Sequence, residues 1–324
     1  MDAPDGLHSL GEPGDPVAVV SLLSGDQLDS SALWLRWNGL EIASGHAVIF
    51  CIDEIPGRTE SAIEDERLVE GCKDLVVGTY GNDLLVIAGD PWEEGADILL
   101  VEEDGQRNPF ASNSAKLVAI LLGDFTVLCD EEGEYREGIF GEDGELTPEA
   151  DRRLQRRRLD HDQDGPYARF LLAQNLRRSG EARAARRELE LMLRRAPNYL
   201  WAHFELGRAC LSLDERRRAV SAFAEAARLC EAAADRDSLA GLQAFALAWQ
   251  ASAATAEQRP DLSAKIRAIY PGFALAQEHG ARSALEAGDE ETARERIGLG
   301  LIAEVGHLGL LGLRGRLSCD TSGG

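Results

Sequence analysis

Residues 75–122, LVVGTYGNDLLVIAGDPWEEGADILLVEEDGQRNPFASNSAKLVAILL, decide the fold. VVGTYGNDLLVIAGD at 76–90 reads as two β-rich runs joined by Gly81-Asn82-Asp83, and ADILLVEEDG at 96–105 as a third run ending in an Asp-Gly turn. From Ser114 to Leu122 the period changes. Leu117, Ile120 and Leu121 recur at three- and four-residue spacing, so one helical stripe can cover the sheet. The expectation is an α+β domain with a mixed sheet and its helices segregated to one side.

Upstream, SSALWLRWNG at 30–39 predicts a helix capped by Asp29 or Ser30 and stopped by Asn38-Gly39. Its Trp34 and Trp37 suit either a core or an interface anchor. Ala47 to Ile52 reads as a strand, Ile55-Pro-Gly as a turn, and Glu60 to Glu70 as an acidic helix carrying Ile63, Arg67 and Leu68. Between the second and third runs, Asp90-Pro-Trp-Glu-Glu-Gly95 forms a loop, either displaying Trp92, Glu93 and Glu94 or simply solvated. Glu102 and Glu103, in the turn after the third run, are further candidates for partner contact. Asp130 to Glu145, an acidic stretch punctuated by glycine, reads as a surface hairpin or linker.

Charge is divided unevenly. Residues 1–150 hold 33 Asp and Glu against 7 Lys and Arg, a net of −26; residues 151–324 hold 24 against 27, a net of +3. Such a field repels nucleic acid and anionic membranes and favours fast, salt-sensitive capture of a basic partner. Acidity serving solubility alone would give the same pattern. The 324 residues point to two domains, and 44% apolar content is ample for packed cores. Cysteines at 51, 72, 129, 210, 230 and 319 form no C-x-x-C and no ligand spacing with His, which predicts reduced thiols in a cytoplasmic protein, with no disulfide framework and no zinc. The start, MDAPDGLHSLGEPGDP, lacks a basic end and an apolar core, so it is not a signal peptide; residues 1–16 are expected to be disordered, and Val17 to Leu23 is apolar but unassigned. No stretch suits a bilayer, Ile297 to Leu313 being interrupted by Glu304, His307 and five glycines.

The second half changes character. Thr147-Pro-Glu opens a helix crowded with Arg152, Arg153, Arg156, Arg157 and Arg158. Without interleaved aromatics this favours a solvated helix contacting the acidic half over a nucleic-acid surface. Asp160-His-Asp-Gln-Asp-Gly165 matches half of a calcium loop, but its twelfth position is Leu171; capping of the next helix by Asp164 ahead of Pro166 is the expectation. From Pro166 a period of 34 sets Leu172-Ala173 over Leu206-Gly207, Ala185 over Ala219, Leu189 over Phe223 and Met192 over Ala226. Leu275 to Leu301 gives a weaker unit with Gly288-Asp289 at its turn, and residues 235–271 fit poorly. Gly306, Gly309, Gly312 and Gly315 suggest a frayed terminus, with a disordered tail at 316–324.

LWLRWNGL at 33–40, the acidic helix, LVVGTYGNDLLVIAGD, ADILLVEEDG and SNSAKLVAILLG at 112–123 together resemble the SUKH superfamily of bacterial immunity proteins, over roughly residues 30–125. The chain differs in its short lead before the aromatic helix and in its long helical extension. The resemblance implies binding without catalysis: a cytoplasmic protein that neutralises a toxin, often a nuclease or deaminase. The later repeats are similar to the tetratricopeptide repeat. That resemblance implies an all-α solenoid whose concave face, carried by Tyr167, Phe170 and Gln174 and then Trp201, Phe204 and Arg208, takes an extended partner. Packing of Tyr167, Phe170 and Trp201 against the preceding domain or a neighbouring repeat is the competing reading. The expected layout is an acidic α+β domain at 17–146 and helical repeats at 147–315. No G-x-S-x-G, P-loop, H-E-x-x-H or dinucleotide fingerprint is present, so no cofactor, metal or catalytic residue is expected. The alternative is an adaptor scaffold in which the repeats work and the acidic domain is accessory.

Overall fold

DLLVI at 83–87 is apolar at four consecutive positions, and a strand of that kind must bury both faces. In the structure, a computed structural model, Leu85 and Val86 are 0% exposed and Ile87 1%. The structure describes residues 40–42, 47–50, 54–68, 73–88, 97–103, 105–130, 134–233 and 239–320. The expected helix at 30–39, the element at 17–23 and the loop at 90–95 lie outside them. The chain divides into two compact units, residues 1–179 and 180–324.

Among the described residues, six strands build the first unit: β1 Leu40–Ile42, β2 Ala47–Ile49, β3 Leu75–Tyr80, β4 Asp83–Ile87, β5 Ile98–Val101 and β6 Arg107–Ala111. They lie in sequence order, and every pairing is antiparallel. The sheet is therefore a meander and not mixed, because none of its connections is a crossover of the kind a parallel pair requires. Gly81, with φ +59°, makes the tight return between β3 and β4. β6 escaped the sequence reading because Pro109 interrupts it; at the end of the strand order a missing N–H costs no ladder bond.

Helices cover both faces of this sheet, which corrects the one-sided expectation. On one face Val76, Val86 and Val101 pack with Ala62 and Leu68 around α1, Ile55–Glu64. Ile55-Pro-Gly is the first turn of that helix and not a separate turn, since proline suits a position whose N–H would be unpaired anyway. Tyr80 sits opposite Asp83 in register, on the face of Leu85, and its hydroxyl donates to Asp124 of α2, Ser114–Leu128, at 3.1 Å. Asn113 caps α2 by accepting the Lys116 N–H at 2.8 Å.

The first unit continues past the expected boundary at 146 through α3, Pro148–His161, and α4, Pro166–Arg178. The Thr147 hydroxyl caps α3 as expected, accepting from the Ala150 N–H at 3.3 Å. The N-cap of α4 is Gly165, one residue past the Asp164 expected there. Asp162 accepts the Ser112 N–H at 2.8 Å.

The second unit stacks α5 Ala182–Arg195, α6 Leu200–Ser212, α7 Arg216–Ala232, α8 Ala240–Ala253, α9 Arg259–Ile269, α10 Phe273–Glu286, α11 Glu290–Ala303 and α12 Leu308–Asp320. The starts of α4 and α6, and of α5 and α7, are both 34 residues apart, the period of the sequence. Gly207 of α6 is required by a close approach: a methyl there would lie 2.5 Å from the Phe223 ring of α7. Gly288, at φ +78°, turns the chain between α10 and α11, where Asp289 accepts the Thr292 N–H at 3.0 Å. α12 replaces the expected frayed end. Leu310, Leu313 and Leu317 are buried along one stripe, and that packing offsets the cost of its glycines.

Candidate functional site

The most concentrated chemistry of the first unit is a buried knot where α3 meets α2 and the sheet. Arg158 and Asp124 have side chains 4% and 2% exposed. Arg158 Nε donates to both Asp124 oxygens at 3.0 and 3.1 Å, and Nη2 donates to Asp124 Oδ2 at 2.8 Å and to the Tyr80 hydroxyl at 2.6 Å. Its guanidinium lies 5.1 Å from the Tyr80 ring centre and 5.0 Å from that of Phe110. Burial alone would lower the Arg158 pKa, but the Asp124 charge turns the shift upward. Burial pushes the Tyr80 and Tyr167 hydroxyls above their ordinary range, so both are neutral donors at neutral pH. These groups are committed to one another. A guanidinium cannot serve as a base near neutrality, and neither phenol can as the structure holds it.

Beside the knot lies a cavity of about 260 Å³ whose walls include Tyr80, Asp83, Phe110, Phe140, Asp151, Arg158 and Tyr167. Its outer wall belongs to the acidic stretch read as a connector. There Cys129 bridges to Tyr135 and Phe140 to Leu146, so the segment is built of short hairpin returns. Tyr135 and Phe140 are 42% and 40% exposed and meet edge to face at 5.1 Å. Glu134, Glu137, Glu142, Asp143 and Glu145, like Arg136, are exposed in the same stretch of chain.

Several candidates from the sequence face inward. Glu102 accepts from Asn108 Nδ2 at 2.6 Å and from the Tyr167 hydroxyl at 3.3 Å, whereas Glu103 is exposed. Tyr167 and Phe170 are buried in the first unit, Tyr167 standing 6.5 Å from the Phe110 ring. The expectation that they line a concave face is thereby corrected: β6 offers them an apolar surface. Gln174 is half-buried and lines a second cavity of about 550 Å³ with Asp143, Glu145, Asp151 and Arg178. Trp34, Trp37, Trp92, Glu93 and Glu94 lie outside the described residues.

In the second unit Phe204 is core, not surface, packed within 5.2–6.3 Å of Trp201, Phe223, Phe245 and Trp249. Trp201 is half-buried on its edge. Arg208 lies over the Trp249 ring at 5.4 Å and pairs with Glu205 at 3.3 Å and Glu295 at 3.9 Å. At the far end, α11 and α12 enclose a groove of about 700 Å³, lined by Leu301, Ile302 and Leu311, with Val305 79% exposed beside it. Sequence reasoning missed this groove because its glycines masked the helix that forms one wall.

Cys129, Cys210 and Cys230 are free and buried, and burial pushes the Cys230 thiol up to about 11. Among the described residues no group of three His, Cys, Asp or Glu side chains is placed to hold a metal, and no helix is long and apolar enough to cross a membrane.

His161, at the end of α3, has its Nε2 buried without a hydrogen-bond partner among the described residues. Burial, then Arg157 beside it, lowers its pKa, outweighing the pull of Asp160 and Asp124. The unfolded chain takes up this proton near pH 6.5 while the folded chain resists it. Stability contributed here is therefore full above about pH 6.5 and declines as pH falls towards the folded-state value. Urea midpoints at pH 7.5 and 5.5 should show a smaller acid loss for His161→Gln than for the parent protein; equal losses would assign the acid sensitivity elsewhere.

No protein-family model matches the chain, and no curated protein matches it. Fourteen solved chains do. YrrB, described as a TPR protein with an unusual peptide-binding site, is 15% identical over 52% of this chain and 83% of its own, with a TM-score of 0.35. MamA from Desulfovibrio magneticus RS-1 is 18% identical over 50% and 88%, with a TM-score of 0.30. A further MamA structure is 20% identical over 48% and 88%, with a TM-score of 0.31. Likeness at this level says nothing of what the present chain binds.

Proposed function

We propose that the chain is a non-catalytic, cytoplasmic protein-binding protein, an immunity-type factor that occludes a basic toxin domain of nuclease or deaminase type with its SUKH-like acidic unit. One observation carries the reading. Residues 1–179 hold 37 Asp and Glu against 15 Lys and Arg, a net of −22 even with the arginine helix included. Among the described residues the Arg158, Asp124 and Tyr80 side chains are spent on one another. A surface so charged opposes the phosphate-binding face of a nuclease with complementary potential, giving fast, salt-sensitive association.

The test is co-expression of the full chain with a toxin domain encoded beside it, alongside association rates at about 50 and 500 mM salt, where the Debye length shrinks severalfold. Protection of growth with an association rate falling about tenfold or more supports the reading. Absence of protection removes it, and salt-independent association removes its electrostatic basis. A second reading, an adaptor working through the helical unit, is favoured by the groove between α11 and α12. It predicts that Leu301→Asp, and not charge removal at Glu142 and Asp143, abolishes partner capture.

A further inference from the structure

The groove between α11 and α12 is apolar, with Ile297, Leu301, Leu311 and Leu317 on its lining, apart from the side chains of Arg294 and Arg314. The turn joining the two helices presents Val305 and Leu308, 79% and 84% exposed, the highest values for large apolar side chains among the described residues. That turn is well defined. The His307 N–H donates to the Glu304 carbonyl at 3.1 Å, and His307 Nδ1 accepts from the Leu310 N–H at 3.4 Å. An exposed apolar surface held in a fixed shape marks a contact site. Two glycines point the same way. Gly300 and Gly309 are explained by Leu310 and Glu278, which a methyl group would strike. Gly298 and Gly315 lie inside α11 and α12 with no described atom within 4 Å of where a methyl would stand, although glycine weakens a helix relative to alanine. Gly298 lines the groove, and Gly315 shares the face of Leu311, four residues before it. Bare backbone at those points lets another helix approach closely.

We infer that this surface pairs with the same surface of a second copy of the chain about a two-fold axis, each copy placing Val305 and Leu308 against the groove of the other. A projecting apolar turn and an apolar groove stand together on one surface, which is what an isologous contact requires. The signs of charge agree as well. The turn carries the exposed carboxylate of Glu304, and the groove meets it with Arg294 and Arg314, the first of which also holds Glu290 at 2.5 Å. A foreign partner would have to bring the apolar knob and the carboxylate that this chain already displays. The inference goes beyond the proposed function and does not rest on it.

Sedimentation velocity of the full chain from about 1 to 100 μM, the range over which contacts of modest affinity dissociate, tests this. A dimer that dissociates on dilution is expected. Val305→Asp and Leu308→Asp alter exposed side chains, so urea midpoints of dilute protein should hold while dimerisation weakens by about tenfold or more in each. Gly298→Ala separates an interface role from a local one: helix propensity should raise the urea midpoint of dilute protein, and the added methyl should weaken dimerisation by about fivefold. Monomer at every concentration, open-ended association in place of a dimer, or a dimer untouched by both aspartate variants would overturn the inference. A monomeric chain that captures another protein through Leu301 would overturn it in favour of that partner. Protection against a toxin by a monomeric chain would end this inference and leave the proposed function standing, and a dimer broken by the aspartate variants in a chain that gives no protection would do the reverse.

Discussion

Arg158→Ala is expected to cost about 3–5 kcal/mol of unfolding free energy, the range for breaking one partner of a buried ion pair. The loss is not the strength of the pair itself. It comes from Asp124, left 2% exposed on α2 with its principal counter-charge removed and only the Tyr80 hydroxyl among the partners described above. Two rings, Tyr80 and Phe110, also lose the cation between them. Removing both charges should hurt less than removing one: Arg158→Met with Asp124→Leu replaces the pair by apolar volume and should recover most of the loss. The remainder is the Tyr80 hydroxyl, which loses its bond to Asp124 at a cost of about 1–3 kcal/mol, and Tyr80→Phe should restore it. Urea unfolding of the three variants decides the matter. A single-variant loss under about 1 kcal/mol, or a double variant worse than the single, would mean that the knot does not fasten α3 to the sheet.

That knot also shows where the sequence was legible and where it was not. Five arginines on one helix pointed to contact with the acidic half, and Arg158 makes it. Nothing in the spacing said which arginine, because the choice depends on a register between α3 and α2 that only packing sets. The strands of residues 75–101 were legible from their β-rich apolar runs and turn chemistry. Their double burial was written in the same residues, since LLVI and ILLV leave no polar face, but a single stripe on α2 drew attention to one side. β6 was hidden by Pro109, whose ban from central strands does not apply at an edge. Tyr167 and Phe170 obeyed the repeat offsets yet are buried in the first unit, because a period fixes helix length and spacing and not what each helix packs against. The cavity could not be read at all: its walls come from β3, β4, β5, β6, α2, α3, α4 and the acidic hairpins, and no linear pattern joins them.

Phe223→Ala should cost about 3–5 kcal/mol, as large-to-small changes at fully buried aromatics do. Phe223 is 0% exposed, 5.6 Å from the Phe204 ring and 5.7 Å from that of Trp249, so its removal empties the place where α6, α7 and α8 meet. The site cannot collapse readily, because the aromatic rings around it are held by their own helices. Gly207 supplies an internal check. Gly207→Ala puts a methyl 2.5 Å from the Phe223 ring and should cost about 1–3 kcal/mol by overpacking in the parent protein. In a Phe223→Leu background the ring edge that the methyl would strike is gone, and the same change should cost markedly less. The coupling between the two positions should then be about 0.5–3 kcal/mol and of relieving sign, read from a double-mutant cycle on chemical unfolding midpoints. Additive losses would mean that α6 and α7 are not in the close contact on which the small residue of the repeat depends, and that the glycine serves the helix backbone alone.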